Sequence, residues 1–279
     1  MTSPILENQV AAHYGKTGLI EAIDMGLRAA GIDPEKAGIE DLAPVDEFHT
    51  AGRIATLKAF EIMPLETGQH VLDAGCGIGG TSRYLAGEHG CTVQGLDLTP
   101  AYIDVAKVLS ERVGLGDRCD FQVASVLDMP FADETFDAAV TFHVAMNIEN
   151  RATFYGECRR VAKSGAKLCL FDVMKGPSAG MVYPVPWAET EATSFLRTAD
   201  ETETLLQQAG FVVIERVNLH DFAIAFFKDV FAKAAKADGP PPLGLHLLLG
   251  VNAPEKFQNY AKALDDHQIE PVIMVAAKR

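Results

Sequence analysis

The chain has 279 residues, 48% hydrophobic and 22% charged, which excludes global disorder and suits one large α/β domain with an accessory element. Its 24 Lys and Arg against 38 Asp and Glu leave a net charge of −14, which argues against nucleic-acid partners and fits a small neutral or cationic substrate, solubility being the plainer reason for the acidity. No apolar run approaches the ~20 residues of a membrane span, no basic stretch precedes an apolar core at the N-terminus, and the five cysteines are widely spaced, so reduced thiols in a cytoplasmic protein without a metal site are expected.

The first sixty residues read as helical. Ile20, Ile23, Leu27 and Ala30 recur at helical spacing and Gly31 follows as a stop. Asp33-Pro34 opens a short second helix, and a third carries the stripe Ile54, Leu57 and Ile62 until Pro64. From His70 strands alternate with helices. Val71-Leu72-Asp73, Cys91 to Asp97, Cys119 to Val123, Phe136 to Phe142 and Ala166 to Val173 read as strands. Helices are expected at Thr81 to Glu88, from Thr99-Pro100 to Val113, and at Arg151 to Ala162. Such alternation implies a parallel, doubly wound α/β sheet. Gly176 to Pro186 is a loop, Asp200 to Gln208 a helix and Phe211 to Val217 a strand. Asp221 to Ala237 is amphipathic through Phe222, Phe226, Phe227, Val230 and Phe231; a further helix runs from about Glu255 to Leu264, and Pro271 to Ala276 closes as a strand. The stretch between the last two strands is too long for a hairpin and reads as a lid, with a dimerisation surface as the alternative.

Gly75-Cys76-Gly77-Ile78-Gly79-Gly80 follows the first strand and opens a helix. Gly75, Gly77 and Gly80 fit G-x-G-x-x-G, which serves nucleotides and S-adenosylmethionine alike because both need a close backbone approach. Asp73 separates the two. It would repel a pyrophosphate, which disfavours an NAD-dependent oxidoreductase, and attract the ammonium and sulfonium of S-adenosylmethionine. Asp97 ends the second strand, where a carboxylate can accept two hydrogen bonds from ribose hydroxyls.

Together with Gly95-Leu96-Asp97-Leu98-Thr99, Leu127-Asp128-Met129-Pro130-Phe131, Phe136-Asp137-Ala138 and Ala209-Gly210-Phe211, these residues resemble the class I S-adenosylmethionine-dependent methyltransferases over about Gln69 to Val217. The resemblance implies a Rossmann-like doubly wound sheet of seven strands, the last antiparallel, with S-adenosyl-L-methionine as cofactor and S-adenosyl-L-homocysteine as product. It implies cofactor contacts from Asp73, Gly75, Gly77, Asp97, Leu98 and Phe142. Where the family usually has an Asp at the adenine amino group this chain has Ser125, a weaker acceptor; Ser125 and the Val126 backbone N–H are the expected adenine contacts.

The flanks Val45-Asp46-Glu47-Phe48-His49-Thr50-Ala51-Gly52-Arg53 and Tyr183-Pro184-Val185-Pro186-Trp187-Ala188 resemble the branch with sarcosine and dimethylglycine, tocopherol and sterol methyltransferases, and imply a small-molecule acceptor. The expected organisation is a helical extension over 1–64, the cofactor-binding core over 65–219, and a lid insertion with the final strand over 220–279. His143, after the fourth strand, is the candidate catalytic base, or a ring that packs on the adenosyl group. His49 is assigned to the cofactor and Arg53, four residues on, is left open. Tyr14 could fold over the sulfonium. Trp187 and His220 are candidate acceptor contacts. A homodimer is compatible with the phenylalanine-rich helix. A protein that binds S-adenosylmethionine without catalysis is the alternative from another class.

Overall fold

The computed structural model describes Glu7, Ala11, residues 18–237 and residues 239–279; Tyr14 lies outside these. Before the sheet come Leu19–Ala29 (α1), Ile39–Asp46 (α2) and Arg53–Ile62 (α3). The α1 stripe buries Ile23 and Leu27. The short helix expected after Asp33-Pro34 is a single 3₁₀ turn, Pro34–Lys36, its first turn held by the Asp33 side chain. Helix α2 has no counterpart in the sequence reading because Pro44 stands inside it. The expected α3 stripe is corrected: Ile54 and Leu57 are about half exposed, whereas Ala55, Thr56, Ala59 and Phe60 face the core. Two alanines let the helix pack closely, and the polar partners of Arg53 and Thr56 fix its rotation.

The sheet comprises His70–Ala74 (β1), Thr92–Asp97 (β2), Cys119–Val123 (β3), Phe136–Phe142 (β4), Ala162–Lys175 (β5), Phe211–Asn218 (β6) and Ile269–Lys278 (β7), in the order β3-β2-β1-β4-β5-β7-β6. β7 runs antiparallel to β5 and β6, while β1 to β5 pair in parallel. Gly80–Glu88 (α4), Pro100–Arg112 (α5), Arg151–Val161 (α6) and Ala199–Gln208 (α7) make the crossovers. One apolar layer packs Phe60, Leu85 and Ile103 on the sheet, and the other packs Phe154, Tyr155 and Leu206 on its opposite face. Strand order reverses between β1 and β4, so a crevice opens beyond their carboxyl ends.

Between β6 and β7 lie His220–Ala234 (α8), His246–Leu249 (α9) and Ala253–Asp265 (α10), the helical insertion expected there. Helix α9 returns to the N-terminal layer, where Leu243 and Leu248 pack among Leu19, Ile23 and Leu27. All five cysteines are buried free thiols. Among the described residues no helix is long and apolar enough to cross a membrane.

Candidate functional site

At the end of β1 the chain turns through Gly75, φ +85°, where a Cβ would stand 2.2 Å from the Val144 side chain. Only glycine lets this turn meet the loop after β4. Gly77, at φ +54°, has nothing within 4 Å of where a Cβ would lie, so its backbone faces open space. That space is a cavity of about 870 Å³ over the crevice. Asp73, Gly75, Gly77, Asp97, Leu98 and Ser125 lie on its wall, as do Val126 and Phe142.

Asp97 Oδ2 accepts the Gly77 N–H at 2.9 Å and Oδ1 accepts the Thr99 N–H at 2.9 Å. The Thr99 side chain, at the start of α5, makes no cap bond of its own. Burial raises the Asp97 carboxyl above its usual range against these donors. Asp73 is buried and accepts the Ser82 hydroxyl at 2.6 Å; burial, partly opposed by Ser82, pushes it up to about 7. The Ser125 hydroxyl donates to the Glu7 carboxylate at 2.5 Å and accepts the Leu127 N–H. Glu7 also lines the cavity, a contact 118 positions away in sequence that nothing local announces.

Across from the glycine turn, His143 adopts φ +55°, unusual for a residue with a side chain. Its N–H donates to the Phe171 carbonyl at 2.6 Å, and Nε2 accepts the Thr50 N–H at 3.4 Å. Burial holds the imidazole well below its ordinary pKa, hence neutral. The next two amides, Val144 and Ala145, both donate to Asp172 Oδ1, so this fully buried carboxylate fixes the loop bearing His143. Asp172, in a hydrophobic strand, reads as core in the sequence and was not singled out.

His49 lines the cavity, but its Nε2 lies 2.8 Å from Thr56 Oγ1 and 3.2 Å from Glu47 Oε2. Burial brings it down to about 3, so it contributes no positive charge. Arg53 Nη1 pairs with Glu47 Oε1 at 3.0 Å and its guanidinium stacks on Tyr84. Thr50 Oγ1 and the Tyr260 hydroxyl, the latter from α10, are 2.5 Å apart. Trp187 lines the far end, its indole N–H donating to Ser194 Oγ at 3.0 Å.

His220 is a correction. It stands outside the cavity at the start of α8, where Nε2 meets the Leu264 carbonyl at 2.9 Å and the ring stacks on His267 at 4.0 Å. The sequence placed it beside the lid, but its position in the first turn of α8 turns it toward the root of α10. Among the described residues no group of three or more His, Cys, Asp or Glu could hold a metal ion.

Residues 72–170 match the family model of a methyltransferase domain. Methyltransferase GfsG of Streptomyces halstedii is 28% identical over 187 residues, covering 65% of this chain and 66% of that one. The 24-methylenesterol C-methyltransferase 2 of Oryza sativa subsp. japonica is 26% identical over 63% of this chain and half of its own length. Among solved structures, phosphoethanolamine N-methyltransferase 2 of Haemonchus contortus, in complex with S-adenosyl-L-methionine, superposes on all of this chain and 60% of that one with a TM-score of 0.74 at 18% identity, a likeness of fold.

Proposed function

We propose that the chain is a class I S-adenosylmethionine-dependent methyltransferase that methylates a small-molecule acceptor held at the apolar end of the cavity. One observation carries this reading: a single cavity joins the glycine turn and two acidic strand ends to an apolar chamber walled by α8, α9 and α10. Its volume of about 870 Å³ is near the top of the ~300–1,000 Å³ range of small-molecule sites, room for a cofactor and an acceptor together.

The residues fit the cofactor. Gly77 leaves open the face that a ligand backbone must approach, and acidic groups stand where an ammonium and a ribose diol need acceptors. When bound, S-adenosylmethionine supplies a methyl carbon activated by its sulfonium; the acceptor's lone pair makes the new bond as the carbon–sulfur bond breaks, leaving its electron pair on sulfur. In our reading Asp73 holds the ammonium, Asp97 the ribose, and Ser125 with Glu7 and Val126 the adenine. His143 faces the reacting end, to take the proton an acceptor hydroxyl loses or to orient that acceptor. Helices α8 to α10 exclude water and align the acceptor.

Asp97→Ala is expected to weaken cofactor binding by about 1.5–3 kcal/mol, the scale of hydrogen bonds to a charged group. An unchanged dissociation constant in the folded variant would remove Asp97 from the site.

Because the Asp73 carboxyl sits near pKa 7 in the free protein, its ionised form must be regenerated to meet an ammonium. Cofactor affinity should therefore fall as pH drops below about 7, approaching tenfold per pH unit, with a proton released on binding. Calorimetry in two buffers of different ionisation enthalpy reads that proton directly, and Asp73→Asn should abolish both the release and the slope.

The amides of α8 and α10 should gain hydrogen-exchange protection when S-adenosylhomocysteine and an acceptor are both bound. Protection that follows protein concentration and ignores ligands would make the segment a dimer interface instead.

Methyl-labelled S-adenosylmethionine, incubated with the protein and a library of small hydroxylated and aminated molecules, tests the activity itself. Tight S-adenosylhomocysteine binding with no label transferred to any acceptor would favour a non-catalytic binding protein.

A further inference from the structure

The apolar end of the cavity is walled by Trp187, Phe226, Phe227, Val230, Phe231 and Leu248. Among the described lining residues Arg53 is the only lysine or arginine, against six carboxylates. Its charge is balanced by Glu47 at 3.0 Å and Glu40 at 3.4 Å and its guanidinium stacks on Tyr84, although its nitrogens make no hydrogen bond. The three histidines on the wall, His49, His143 and His246, are held below their ordinary pKa by burial and offer no cation near neutral pH. An anion entering this chamber would lose its hydration and meet two carboxylates beside the one guanidinium, so it gains no net positive charge.

An ammonium fares little better. Asp46 is tied to Arg83, Glu47 and Glu40 to Arg53 and Glu7 to Ser125, while Asp73 and Asp97 are assigned to the cofactor's ammonium and ribose and are not left for an acceptor. What the chamber does offer is a small neutral hydrogen-bonding cluster. Thr50 is its hub, bonded through Oγ1 to the Tyr260 hydroxyl and through its N–H to His143 Nε2.

We infer that the acceptor is an uncharged, largely hydrocarbon molecule whose single hydrogen-bonding group meets the Thr50–Tyr260–His143 cluster, and that phosphorylated or ammonium-bearing acceptors are excluded. This rests on the methyltransferase reading and adds to it the chemistry of the acceptor. It also separates this chain from its structural neighbour named for phosphoethanolamine, although the two share a fold.

Trp187 is the only tryptophan of the chain and lines the chamber, so its fluorescence reports occupancy without a label. The protein loaded with S-adenosylhomocysteine is titrated with matched probes on three carbon frames: farnesol with farnesyl phosphate and farnesylamine, 4-cyclohexylphenol with its phosphate, and 1-naphthol with 1-naphthyl phosphate. Each titration is run with and without magnesium. On at least one frame the neutral member should shift the emission saturably within the ~1 μM–1 mM range of substrate affinities, at least about tenfold more tightly than its charged counterpart. A charged member that binds as tightly as its alcohol, with magnesium or without, overturns the inference, and so does a failure of every neutral probe to bind below ~1 mM. Calorimetry of S-adenosylhomocysteine on the same sample distinguishes the two failures. Retained cofactor binding leaves the methyltransferase reading standing while the acceptor class falls; lost binding counts against the reading beneath it.

Discussion

Replacing His143 with alanine is expected to lower turnover by about 10²–10⁴-fold while S-adenosylhomocysteine affinity stays unchanged, the scale of a lost general acid–base group. The motive is geometric: the imidazole lies on the cavity wall, on a loop pinned from below by Asp172 and packed against Gly75 through Val144. Its depressed pKa sets the pH dependence. The ring stays neutral through the ordinary imidazole range, so the turnover of saturated enzyme should show no fall between pH 8 and 6.5 attributable to its protonation. An acid-side loss near pH 7 should appear in cofactor affinity, where Asp73 acts. For Nε2 to take a proton, the acceptor hydroxyl must displace the long 3.4 Å contact from the Thr50 N–H, a weak bond to give up. If kcat survives in the variant and only the acceptor KM rises, His143 positions the acceptor and takes no proton.

The second large effect concerns stability. Asp46 ends α2 and pairs with Arg83 of α4, both side chains fully buried. Arg83 also donates to the Ala106 carbonyl and the Ser110 hydroxyl of α5, so one guanidinium joins three helices around the glycine turn. Burial outweighs the attraction of Arg83 and pushes Asp46 up to about 6, so the carboxylate is held ionised at pH 7 at a cost that Arg83 limits. Asp46→Ala leaves a charged guanidinium buried without its partner and should destabilise the fold by about 3–5 kcal/mol. The double variant Asp46→Leu with Arg83→Met should recover much of that loss, since removing both charges also removes their desolvation. Denaturant unfolding of the single and double variants measures the difference; a single variant within ~0.5 kcal/mol of the parent would show that the pair does not hold α2 to α4. Raised folded pKa gives the sign of the pH effect: the Asp46 contribution is most favourable below its unfolded pKa and is lost as pH rises through about 6.

The succession of strands and helices along the chain, the glycine turn and the two acidic strand ends were legible in the sequence because each rests on local chemistry. Val71-Leu72-Asp73 followed by glycines can only be a buried strand running into a turn that needs positive φ, and Asp97 follows from the same logic one strand later. The insertion was legible from length alone, since its chain between two neighbouring strands had to fold into something. Other features needed the tertiary structure. The buried face of α3 was chosen by burial and by the polar partners of its own side chains: Thr56 bonds Glu47, and Ile54 and Leu57 are left to solvent. His220 looked like a site residue by its place beside the lid, yet the direction in which α8 leaves β6 turns it to the Leu264 carbonyl. Glu7 against Ser125 and Tyr260 against Thr50 join residues 118 and 210 positions apart. No periodicity or motif encodes such pairs, because a contact across the fold is set by how whole layers pack and leaves no trace in neighbouring residues. The sequence thus determined where a cofactor can sit, through local backbone requirements. Only the packed chain decided what walls the apolar end of the cavity, because that chamber is built from three helical segments brought together by burial.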